Sequence, residues 1–89
     1  MIKCYELSIA RLMNENGLFI RIEIIPDDTK GFVVAFVDAS EKYSFLKAQR
    51  GNIRYFKTLD SAFNAVQSLG STDCKLVIAD NFKDKYVLS

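Results

Sequence analysis

Residues 42–57, KYSFLKAQRGNIRYFK, set five cations, Lys42, Lys47, Arg50, Arg54 and Lys57, among four aromatic rings with no acid, in an 89-residue chain of net charge +1. Arginine and lysine in such a segment can contact phosphates while a ring or a guanidinium stacks on a base or packs in a groove. The competing reading is a solvated hairpin whose cations meet Glu41, Asp60 and other acids in space. The first reading makes Lys42, Lys47, Arg50, Arg54, Tyr55 and Lys57 the candidate binding residues. Their partner is a nucleic acid or a protein, because charge alone does not separate the two.

Reaction chemistry has little to work with elsewhere. The chain contains no histidine, which removes the commonest general base, the commonest metal ligand and every histidine-dependent triad. Asp27 and Asp28 are the only adjacent carboxylates, and they fall in a turn composition where aspartate bonds its own backbone. The four glycines form neither GxGxxG nor GxxxxGK[ST], so no phosphate-cradling loop is expected. Cys4 and Cys74 stand seventy positions apart, without the paired spacing of a zinc or redox site. The expectation is a binding protein, not an enzyme, with no cofactor and no metal.

Eighty-nine residues make one domain, since halves of that length would bury too little apolar surface to fold. Hydrophobic residues form 49% and charged residues 26% of the chain, the balance of a folded protein and not of a disordered one. With net charge +1, any affinity for nucleic acid must come from local clustering. The apolar stretches are strand-sized, short of the ~20 residues a membrane helix needs, and no leader pattern opens the chain. A cytoplasmic protein without a membrane partner is expected.

The elements that would position the basic segment follow from periodicity. Tyr5, Ile9, Leu12 and Met13 recur at helical spacing over residues 5–16, ending at Asn16-Gly17, a usual helix terminus. In LFIRIEII, Leu18, Ile20, Ile22 and Ile24 alternate with Phe19, Arg21, Glu23 and Ile25, which predicts a half-buried strand. PDDTKG at 26–31 reads as a hairpin turn, FVVAFVD at 32–38 as its partner strand and YSFLKAQ at 43–49 as a third strand. Gly51 interrupts the chain before a short fourth strand over 53–56. Thr58 is suited to cap a second helix with Leu59, Ala62, Phe63, Val66 and Leu69 inward, stopped by Gly70. CKLVIA at 74–79 predicts a last strand, and residues 79–89 a flexible tail or one ordered by a partner. The fold class is α+β in a single domain, 1–89: helix, three- or four-strand antiparallel meander, helix, strand, with both helices on one face of the sheet. Should the last strand lie outermost, its apolar edge would invite a homodimer.

The run AQRG at 48–51, RYFKTLDSA at 54–62 and Leu69-Gly70 resemble small accessory proteins of plasmids and integrating conjugative elements, of the partition-associated, ParC-like type. The resemblance implies a mobile-element protein without catalysis, acting in plasmid maintenance or its regulation by touching DNA or a DNA-bound partner. Hairpin and capping requirements account for Gly51, Thr58, Leu59 and Gly70; they leave Arg50, Arg54 and Lys57 unexplained. The same size and charge also suit a small inhibitor or immunity-type protein that blocks another protein with its surface. The helix, meander, helix order is shared with double-stranded-RNA-binding domains, whose second helix opens with lysines that this chain lacks.

Overall fold

A computed structural model describes residues 3–27 and 29–70, and residues 75–78 as strand backbone. The elements are β1 (Cys4–Tyr5), α1 (Leu7–Glu15), β2 (Phe19–Asp27), β3 (Gly31–Asp38), β4 (Tyr43–Leu46), α2 (Leu59–Gln67) and β5 (Lys75–Ile78). The domain is α+β as expected, but the sheet is mixed and not a pure meander: its order is β1-β4-β3-β2-β5. β2, β3 and β4 are antiparallel neighbours, whereas β1 lies parallel to β4 and β5 parallel to β2. β3 alone therefore runs against the other four strands. Each helix is a crossover between parallel strands, α1 from β1 to β2 and α2 from β4 to β5. Both crossovers move the same way across the sheet, and a common hand puts them on the same face.

The core lies under that face. Ile22, Ile24, Val34, Phe36 and Leu46 project from β2, β3 and β4 into one cluster with Ala10 of α1 and Ala62 and Val66 of α2. Phe19 stacks on Phe36 with ring centroids 4.8 Å apart. The alternation in β2 departs from expectation at its start. A register shift between Phe19 and Arg21 leaves Ile20 as an extra residue, which turns Phe19 into the core and leaves Leu18 and Ile20 exposed. Such a bulge inverts the facing of what precedes it, because strand side chains alternate with period two.

Three further expectations are corrected. The first helix begins at Leu7, after Glu6 in extended conformation. Tyr5 is thus a strand residue, paired opposite Leu46, because the edge of β4 satisfies the Cys4–Tyr5 backbone better than a further helical turn would. The fourth strand does not form: residues 53–56 make only the isolated bridges Lys47 to Ile53 and Phe32 to Phe56. Phe63, expected inside, is 41% exposed, since Ala62 and Val66 already meet the sheet and Phe63 sits on the flank of α2. The cap of α2 is as expected, with the Ser61 amide donating to Thr58 Oγ1 at 3.1 Å and Asp60 in the first turn. The residues 79–89 and the side chain of Cys74 lie outside the described residues.

Candidate functional site

The basic segment is held to the sheet at its two ends. Lys47 continues the line of β4, the Ala48 amide donates to the Asn52 carbonyl at 2.7 Å, and Gly51, at φ 89°, completes the turn that carries Arg50. The chain then returns along the start of β3, where Phe32 and Phe56 exchange two backbone hydrogen bonds of 2.8 Å each. Gly31 makes that approach feasible: a Cβ there would collide with the Phe56 carbonyl oxygen, and its φ is 101°. Phe56 itself is buried in the core cluster, so Tyr55 and Lys57 are fixed on either side of an anchored residue.

The six candidate residues do not form one patch. Lys42 precedes β4 at the far end of the strand from Arg50, and the four residues of β4 separate it from Lys47, roughly 16 Å at the rise of an extended chain. It borders a depression with Lys3, Asp38 and Tyr43. Lys47 and Arg54 line a second depression beside the start of α1, together with Glu6 and Ser8. The Arg54 guanidinium lies over the Phe56 ring, 4.7 Å from its centroid. Tyr55 and Lys57 line a third with Thr29, Lys30 and Gly31. Tyr55 and Lys30 continue into a fourth, which reaches Cys4, Gly51 and Asn52. Lys47 and Arg54 thus share one depression, Lys57 lies in another with Tyr55 and Lys30, and Lys42 stands apart from both.

Among the described residues none of Lys42, Lys47, Arg50, Arg54 and Lys57 enters a salt bridge. The solvated-hairpin reading named Glu41 as a counter-charge, but Glu41 faces Arg21, with Oε1 3.3 Å from Nη2. Arg21 belongs to a network on the sheet face opposite the helices. Its Nε donates to Glu23 Oε2 at 2.8 Å, and the Tyr43 hydroxyl donates to the same carboxylate from 3.0 and 3.1 Å. The Glu23 side chain is 9% exposed. Glu23 and then Glu41 raise the Arg21 pKa further, by favouring its charged form. Tyr43 pairs opposite Val37, and Glu23 opposite Ala35, so this bond spans β3 above two residues that are themselves buried. Asp27 has a different partner set: the amides of Thr29 and Lys30 donate to Oδ2, holding its pKa below the usual carboxylate range and fixing the turn that carries Lys30.

Two participants escape sequence reading. Lys30 stands in a turn where lysine reads as solvated; its ammonium is 4.9 Å from the Tyr55 ring centroid, a contact made only when β2 and β3 pair. The Arg21, Glu23, Tyr43 network is foreshadowed by shared facing within each strand, but twenty residues separate Glu23 from Tyr43, and no local pattern pairs them. Comparison with family models, curated proteins and solved structures finds no match.

Proposed function

We propose that this is a non-enzymatic binding protein whose cationic segment contacts nucleic acid, as an accessory factor of a mobile element acting in plasmid maintenance or its regulation. The observation that carries the reading is the lack of counter-charge: five cations in residues 42–57 stay out of every salt bridge among the described residues, while nearby Arg21, Glu23 and Glu41 satisfy one another. Unpaired surface cations beside an exposed aromatic ring suit a phosphate backbone, whose neutralisation releases condensed counterions. The cytoplasm is the compartment in which such a protein would act; among the described residues no helix is long and apolar enough to cross a membrane.

The test is fluorescence anisotropy with labelled DNA and RNA at two salt concentrations. Binding that weakens with salt is expected, and replacing Arg50, Arg54 and Lys57 together with alanine should flatten the slope of log K against log salt by about 0.7 to 0.9 per lost contact. Retention of full affinity and slope in that variant would remove the segment from the interface.

A second reading, an inhibitor or immunity-type protein acting on a protein partner, draws on a separate observation. Ile9 and Leu12 are exposed one turn apart on α1, Leu12 to 60%, and adjoining exposed apolar side chains mark surfaces that meet another protein. Self-association through the sheet edge remains a proposal alongside either reading; β5 is an outermost strand of the described sheet.

A further inference from the structure

We infer that the nucleic acid taken by this surface is single-stranded, bound along the trough that runs past Tyr55 and Lys30; this rests on the nucleic-acid reading above. Duplex readers commonly insert a helix or a two-stranded ribbon into the major groove. Neither helix among the described residues offers an unpaired cation to a groove, and the β2–β3 ribbon brings a single one, Lys30, at its turn. α2, LDSAFNAVQ, carries no lysine or arginine, and the one cation of α1, Arg11, is paired with Glu15 at 3.2 Å. The returning segment 47–56 is held by isolated bridges and not by a strand ladder.

The trough has the features of a single-strand site. Tyr55 and Lys30 are common to the two depressions that compose it, one reaching Gly51 and Asn52 and the other Thr29 and Lys57. Among the described residues no acid lines either one, in contrast to the depressions at Lys42 and Lys47, which include Asp38 and Glu6. Tyr55 is 39% exposed and held by the anchored Phe56 on its C-terminal side. With the Lys30 ammonium over one face of the Tyr55 ring, the other face would serve a base as a stacking platform while Lys57 tracks the phosphates. Stacking of this kind requires an unpaired base, whose face a duplex does not present.

The experiment compares the wild-type chain on a labelled single strand of about ten nucleotides with the same sequence as a duplex, at low salt. Single-strand affinity should exceed duplex affinity at least tenfold. Tyr55→Leu should weaken single-strand binding roughly five- to a hundredfold, the range that base–aromatic stacking implies, while Tyr55→Phe keeps it; circular dichroism checks that both variants fold. Equal or tighter duplex binding, or indifference to Tyr55→Leu in a folded protein, would overturn the inference and leave the nucleic-acid reading intact. Absence of binding to either form would overturn that reading and this inference with it.

Discussion

Phe63 and Phe36 show how far a single residue's environment can be read from its spacing. Both stand at positions where the local period favours burial, yet Phe36 is fully buried in the core cluster and Phe63 is two-fifths exposed. The difference lies in what α2 faces: Ala62 and Val66 touch the sheet, and Phe63 is displaced by about one hundred degrees from Ala62 around the axis. Phe36→Ala should therefore cost about 3–5 kcal/mol through lost burial and a cavity beside Phe19, whereas Phe63→Ala should cost about 1 kcal/mol or less. Urea denaturation of the two variants measures both. Similar losses would mean that Phe63 is packed as deeply as its helical phase suggests. Lys30 and Glu41 carry the same lesson for charge. Either could have been assigned to the other's neighbourhood from sequence, and only the β2–β3 and β3–β4 pairings send Lys30 to Tyr55 and Glu41 to Arg21.

At the scale of elements, the periodic segments were legible and the unpatterned ones were not. Helix α2 announces itself by Thr58, an apolar stripe and Gly70, and β3 by an unbroken β-branched and aromatic run. β1 is two residues long, too short to carry a period, and its parallel pairing with β4, like that of β5 with β2, makes the sheet mixed. The bulge at Ile20 is equally silent in the sequence, because one inserted residue changes facing without changing composition. The returning segment has alternation but no ladder; it is attached by the Lys47–Ile53 and Phe32–Phe56 bridges, the second of which requires the close backbone approach at Gly31. Gly31→Ala should destabilise the protein by at least about 2 kcal/mol, since the new methyl group meets a backbone oxygen at a positive φ. It should also loosen Tyr55 and Lys57 from Lys30, so affinity for nucleic acid should fall even where the variant remains folded. Unchanged stability in a denaturant titration would mean that the Phe32–Phe56 bridge adds nothing to the fold.

For the molecule as a whole, the two sheet faces have separate tasks. One is spent on the core beneath α1 and α2. The other is closed over β3 by Tyr43, Glu23 and Arg21, whose charges cancel locally. Among the described residues the segment beyond β4 and Lys30 carry cations outside any salt bridge, although the chain's total is only +1. Composition alone hides this separation, which explains why the site was half legible: Tyr55, Lys57 and Arg50 stand out in the sequence, whereas the distant placement of Lys42 and the arrival of Lys30 require the fold. The proposed contact of nucleic acid with this one surface can be followed through the backbone amide resonances of the isotopically labelled chain during titration with a short single-stranded oligonucleotide. Shifts should concentrate at residues 29–31 and 50–57, saturate together and reverse with salt. Shifts centred on Ile9, Leu12 and Phe63, or none at all at low salt, would contradict it.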